Sequence, residues 1–133
     1  MTRASRTFRL TLSPEGMNLL IESHCRLIRT TRSLLAWGTT LHVALHHLAT
    51  LPTDTLIDDW GRFPNSGLHG DLIHHLGAPI ALQDIATNIV TRIREAAPGA
   101  PYPRRGAIYI IALQHLASAK DEQMRSAYHV VLG

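Results

Sequence analysis

Residues 5–15 read Ser-Arg-Thr-Phe-Arg-Leu-Thr-Leu-Ser-Pro-Glu, and the order of elements in the N-terminal third follows from this stretch. The three apolar side chains from Phe8 to Leu12 alternate with polar ones, and this period of two is typical of a half-buried strand. Ser13 is a favourable helix N-cap, and the proline after it is favoured at the first helical position. The stretch therefore predicts a strand over residues 5–12 that leads directly into a helix.

Apolar residues at helical spacing predict about six helices after this strand. The expected bounds are roughly residues 14–29, 34–50, 54–62, 80–97, 105–116 and 121–132, with a further short helix over 68–76. Ser33 and Thr53 are the predicted N-caps of the second and third helices. Gly38 weakens the second helix by about 1 kcal/mol relative to alanine. The helix near Arg105 is apolar on nearly all sides, which is typical of a central, buried helix.

These elements predict a mainly α fold, a compact helical domain of about six helices with one short N-terminal β-strand. A single domain is expected over residues 1–133, because a chain of this length holds one core. Within it, a strand–helix–helix unit covers residues 1–50, and an appended helical part over 51–133 packs on it. No other segment has the pattern of a strand, and a lone strand leaves its backbone groups unsatisfied. We therefore expect a second copy of the chain to supply the partner strand, in a homodimer.

Composition excludes several classes of protein. Hydrophobic residues make up 45% of the chain and charged residues 17%, which is not the composition of a disordered protein. The longest apolar stretch is far shorter than the ~20 residues that cross a bilayer, and the N-terminus has no signal-peptide core. The single cysteine, Cys25, fits a reducing compartment. We therefore expect a soluble, cytoplasmic protein that has no membrane partner.

Charge is distributed unevenly along the chain. Residues 1–50 contain six arginines and two glutamates, whereas residues 51–75 contain four aspartates and one arginine. A basic N-terminal third suits an anionic partner such as nucleic acid, although a solvated face has the same composition.

One strand followed by two helices, with polar residues alternating along the strand, resembles the ribbon-helix-helix family of DNA-binding proteins over residues 5–48. In that family, strands from two chains pair antiparallel and lie in the major groove of DNA. The resemblance implies a small, dimeric, non-enzymatic DNA-binding regulator or accessory protein. It also implies DNA-contacting residues on or beside the strand and at the start of the second helix: Arg3, Arg6, Thr7, Arg9, Thr11 and Ser33.

The implied contacts differ in kind. The exposed strand residues would face the bases, where Arg9 can bind the edge of guanine with two hydrogen bonds. Ser33, together with backbone N–H groups of the second helix, would hold a phosphate. Contacts of Arg3 and Arg6 with phosphates near the strand would release counterions from the DNA.

A second group of candidate residues lies at the end of the proline-rich loop 98–103. Tyr102, Arg104 and Arg105 combine an aromatic ring with two guanidinium groups, a combination favoured at interfaces with proteins and nucleic acids. The same residues also suit a solvated loop. They support an alternative function, a protein–protein inhibitor or adaptor that binds a larger nucleic-acid-processing complex, like the anti-CRISPR-type proteins of mobile genetic elements. The acidic segment 51–75 and the low fraction of charged residues favour this alternative.

The remaining candidate side chains belong to no catalytic motif. The chain has no Walker A loop and no Gly-x-Ser-x-Gly nucleophile. His42 with His46 and His74 with His75 form two groups that could hold zinc, although histidines at interfaces or helix ends are the more ordinary interpretation. Trp60 suits a core anchor or a hot spot of a protein interface. We therefore expect no enzyme activity, no cofactor and no bound metal.

Overall fold

The structure, a computed structural model, describes residues 5–99, 101 and 103–132 of the chain. Within these residues, six α-helices accompany one two-stranded antiparallel sheet, which confirms the predicted mainly α fold with a short N-terminal strand. A 3₁₀ turn, Phe63–Asn65, follows the third helix. In chain order the elements are β1 (Ser5–Leu12), α1 (Pro14–Thr31), α2 (Trp37–Ala49), α3 (Thr53–Arg62), β2 (Leu72–Pro79), α4 (Ala81–Ala96), α5 (Arg105–Ser118) and α6 (Asp121–Leu132).

β1 finds its partner strand within its own chain. β2 pairs antiparallel with β1 over the full length of both strands, with Phe8 opposite Leu76 and Leu12 opposite Leu72. The prediction of a helix over 68–76 is therefore wrong, and so is the expectation that a second copy supplies the partner strand. The apolar spacing of so short a segment fits a helix as well as a strand, whereas pairing with β1 satisfies backbone groups of both segments.

One face of β1 is buried, as its alternating pattern predicts. The three apolar side chains from Phe8 to Leu12 are at most 5% exposed, whereas Thr7 and Arg9 are exposed. The ring of Phe8 meets the ring of Tyr109 edge to face, with the two centroids 5.9 Å apart. This aromatic contact anchors the strand on α5.

α5 lies at the centre of the core. It contacts α1, α2, α3, α4 and β1, and every residue from Ile108 to Leu113 is buried. The prediction of a central, buried helix is confirmed. The buried apolar residues of the described elements form one continuous cluster. No helix in the described part of the chain has the length and apolar character that a bilayer crossing requires.

The predicted helix caps are correct at α1 and wrong at α2 and α3. The side chain of Ser13 accepts a 3.0 Å hydrogen bond from the N–H of Gly16, which confirms it as the N-cap of α1. Ser33 does not cap α2, which begins only at Trp37, because the residues between them are not helical. Thr53 lies inside α3, one position after its N-cap.

A glycine allows the start of α2 to approach the two-stranded sheet closely. A Cβ atom at Gly38 would lie 1.8 Å from the carbonyl oxygen of Gly77 and 3.0 Å from the Cβ of Ala78. Gly38 therefore lowers the helix propensity of α2 but permits its contact with β2.

We expect the Gly38→Ala variant to lose about 1–3 kcal/mol of its free energy of unfolding, because the backbone must move to admit the methyl group. The matched control is Gly61→Ala in α3, where an added Cβ meets no atom within 4 Å. Removing that glycine favours the helix by up to about 1 kcal/mol. Urea unfolding followed by circular dichroism measures both changes. Equal stability of the two variants would contradict the close approach.

Candidate functional site

A cleft of about 1100 Å³ lies beside β1. Its lining comes from β1, from α3 and the 3₁₀ turn after it, from the segment before β2, from the end of α4 and from the start of α5. The residues that define its chemistry are Arg9 and Thr11 from β1, Trp60 and Phe63 around the end of α3, and Arg104 before α5.

Two separately predicted groups of contact residues meet in this cleft. Arg9 and Thr11 belong to the strand group, and Arg104 belongs to the group after the proline-rich loop. The guanidinium groups of Arg9 and Arg104 make no hydrogen bond or ion pair with any described residue. No aspartate or glutamate is found among the described residues that line the cleft. Two unpaired cations without a carboxylate favour an anionic ligand.

Two further arginines lie near the cleft, around Tyr109. Burial raises the pKa of Tyr109, whereas the positive charges of Arg105 and Arg6 lower it. Both arginines are therefore near enough to the Tyr109 hydroxyl to affect its ionisation. Arg6 Nη1 also donates a 2.6 Å hydrogen bond to Gln83 Oε1. Arg6 and Arg105 therefore lie near Tyr109, beside the cleft that Arg9 and Arg104 line. We call these four residues the arginine group: Arg6, Arg9, Arg104 and Arg105.

The start of α5 adds positive potential to the cleft. Arg104 occupies the N-cap position, its side chain makes no capping hydrogen bond, and the first turn of the helix contains no acidic residue. Gly106 and Ala107 of this turn line the cleft. The positive end of the helix dipole therefore lies at its edge.

Hydrogen bonds hold the walls of the cleft in place. Trp60 Nε1 donates to the carbonyl of Pro101 at 3.1 Å, which ties α3 to the loop before α5. The hydroxyl of Ser13 donates to the carbonyl of Gly67, which ties the end of β1 to the segment before β2. The rings of Trp60 and Phe63 are inclined by only 15°, with centroids 6.3 Å apart. They form one aromatic surface on the wall.

Other predicted contact residues are separated from the cleft or lie outside the described residues. Ser33 Oγ accepts a 3.1 Å hydrogen bond from the hydroxyl of Tyr128 on α6. Since Ser33 is not at the N-cap, it lacks the helix N–H groups with which it was expected to hold a phosphate. Thr7 is exposed on β1. Arg3 and Tyr102 lie outside the residues that the structure describes.

Sequence reasoning does not find the apolar side of the cleft. Trp60 is expected to be a core anchor or hot spot, Ile57 is expected to face the core, and Phe63 is expected only in a loop. All three line the cleft and are only partly buried. The available signal is weak: Trp60 lies three positions after Ile57 in the short helix α3, and a second aromatic residue, Phe63, directly follows the helix.

The histidines form no metal centre in the described part of the chain. No group of three His, Cys, Asp or Glu side chains there has a geometry that could hold a metal ion. His74 and His75 are neighbours on β2, where successive side chains point to opposite faces. His115 Nε2 contacts Asp59 Oδ2 and so joins α5 to α3. This pair has a structural role between two helices.

Two histidines are buried in the core. Burial lowers the pKa of His47, and the nearby charges of His115 and His46 lower it further. Burial also lowers the pKa of His24, whose Nδ1 lies 2.6 Å from the hydroxyl oxygen of Thr40. Both rings therefore favour the neutral form in the folded protein.

Comparison with other proteins does not identify the chain. No protein-family model, no curated protein and no solved structure matches it.

We expect the free energy of unfolding to be level above about pH 6.5 and to fall as the solution becomes more acidic. Below the ordinary histidine pKa, the unfolded chain binds protons that the folded His47 and His24 do not. His47→Gln should reduce this slope, whereas His129→Gln, at an exposed position on α6, should leave it unchanged. Urea titrations between pH 5 and 8 measure the slope. A His47→Gln protein with the wild-type slope would contradict the attribution of the pH dependence to His47.

Proposed function

We propose that this protein is a non-enzymatic DNA-binding protein, a regulator or accessory factor that holds the DNA backbone at the arginine group. The observation that supports this proposal is the meeting of Arg9 and Arg104 at one cleft, although they come from distant parts of the sequence. Neither guanidinium group is paired with a carboxylate of the described residues. Unpaired arginines are suited to phosphate, which they bind with two parallel hydrogen bonds.

The exposed face of β1 extends this surface. Thr7 and Arg9 share one face of the strand, since alternate side chains of a strand point the same way. A two-stranded ribbon is narrow enough to enter the major groove of DNA, and here one chain supplies both strands. A base contact by Thr7 therefore remains part of the proposal, while Arg9 contacts phosphate, and the sheet needs no second copy to complete it.

We expect binding to labelled duplex DNA to weaken steeply as KCl is raised, because each phosphate contact releases counterions. Four arginine contacts predict a slope of about −3 to −4 in a plot of log K against log salt concentration. Arg104→Glu should lower the affinity by about tenfold or more and should make the slope shallower by about one. Fluorescence anisotropy across a salt series measures both quantities.

Arg125→Glu is the matched control, because it makes the same change of charge at an exposed position on α6 that does not line the cleft. This variant should keep most of the affinity. Equal losses in the two variants would indicate an effect of net charge alone and would contradict the proposed surface. Thr7→Ala should reduce discrimination between duplex sequences, because it removes the proposed base contact. Unchanged discrimination would remove the base contact from the proposal.

The apolar side of the cleft favours a second candidate function, that of an adaptor or inhibitor that binds another protein. Trp60, Phe63 and Arg104 are of the residue types that are enriched at the centres of protein interfaces. The DNA titration separates the two functions. If the wild-type protein binds no DNA even at low salt, the cleft is better explained as a protein-binding surface.

A further inference from the structure

We propose that the cleft beside β1 binds an unpaired nucleotide of a single DNA strand, with its base against Trp60 and Phe63 and its phosphate at Arg9 and Arg104. The inference rests on the proposed DNA-binding function. It adds the class of DNA that is recognised, namely single strands or duplexes with a displaced base.

The size of the cleft suits a nucleotide rather than a duplex. Its volume of about 1100 Å³ lies slightly above the range of small-molecule sites, about 300–1000 Å³, and is large enough for a nucleotide. A paired base is stacked between its neighbours and cannot enter such a cavity, whereas an unpaired base can swing out of the strand and into it. A base held in this cleft therefore comes from an unpaired nucleotide.

The aromatic part of the lining suits a nucleobase. The rings of Trp60 and Phe63 lie within 15° of parallel, and Ile57 and Ile110 add apolar surface beside them. Every nucleobase has a π-face that stacks on such rings, so this contact does not depend on sequence. The hydroxyl of Thr11 also lines the cleft and can exchange a hydrogen bond with the edge of a base.

The cationic part of the lining suits the phosphate of the same nucleotide. Arg9 and Arg104 both line the cleft, and neither guanidinium group has a hydrogen-bond or ion-pair partner among the described residues. An apolar ligand would leave these two charges without a partner. A nucleotide satisfies both kinds of lining at once, because it joins a flat ring system to an anion.

The arginine group favours a strand over a free mononucleotide. Arg6 and Arg105 act electrostatically on Tyr109 but do not line the cleft. A mononucleotide in the cleft would use only the two cations of its lining. A strand that enters and leaves the cleft carries further phosphates toward Arg105 and toward Arg6, which also donates a hydrogen bond to Gln83.

The test compares three ligands by fluorescence anisotropy and competition: a short labelled single strand of mixed sequence, the same strand annealed to its complement, and an equimolar mixture of the four deoxynucleoside monophosphates. We expect the single strand to bind about tenfold more tightly than the duplex at equal salt. The monophosphates should displace it only at concentrations far above its dissociation constant.

Phe63→Leu tests the aromatic wall, because it removes a ring and keeps an apolar side chain of similar size. It should weaken single-strand binding by about tenfold and leave duplex binding unchanged. Trp37→Leu is the control, since it removes an aromatic side chain that is 41% exposed on α2 and does not line the cleft.

In a Trp37→Phe protein, Trp60 is the sole tryptophan, and its fluorescence should be quenched by the single strand. Circular dichroism confirms that each variant is folded.

The outcomes separate this inference from the proposed function. Equal affinity for single strand and duplex, with no effect of Phe63→Leu, would overturn the inference and leave DNA binding at the arginine group intact. If the monophosphates compete as well as the single-stranded DNA does, the proposal that the ligand is a DNA strand and not a free nucleotide is overturned. If no nucleic acid binds, the proposed function fails and the inference fails with it.

Discussion

Backbone hydrogen bonding between β1 and β2 joins the first described residues of the chain to its middle. Three helices, α1 to α3, lie in the loop that this pairing closes. Because Ser13 directly follows β1, caps α1 and donates to the carbonyl of Gly67, the same short region also holds the segment before β2 beside the strand. The 3₁₀ turn after α3 is thereby brought next to β1. The wall that carries Trp60 and Phe63 depends on this closure.

α5 is the second part of this arrangement. Its middle is buried among four helices and β1, where apolar side chains supply most of the stabilising burial. Its first turn leaves the core, so that Gly106 and Ala107 line the cleft together with Arg104 at the N-cap. One helix therefore connects the core with the site, and the contact between Phe8 and Tyr109 sets the position of β1 relative to that first turn.

The charges of the cleft do not follow the charges of the sequence segments that build it. The segment 51–75 is acidic, yet its contribution to the cleft consists of apolar, aromatic, glycine and histidine residues. Asp59 of this segment contacts His115 instead. The cations come from β1 and from the start of α5. An anionic ligand therefore contacts arginines, and no carboxylate of the described lining competes with it. The apolar wall beside the arginines favours a ligand that also has an apolar or aromatic group.

Local chemistry was readable from the sequence: the alternation of β1, the Ser13 cap, the buried character of α5 and the helical composition. Each depends on neighbours within a few residues. Arg9 and Thr11 were implied as contact residues by the family resemblance, and Arg104 by the residue types after the proline-rich loop. The identity of β2, the missing caps at Ser33 and Thr53, and the apolar wall with Phe63 were not readable in this way. They depend on pairing and packing between segments that are far apart in the chain. Such contacts leave no periodic signal in either segment, and only the folded chain brings the two groups of arginines to one cleft.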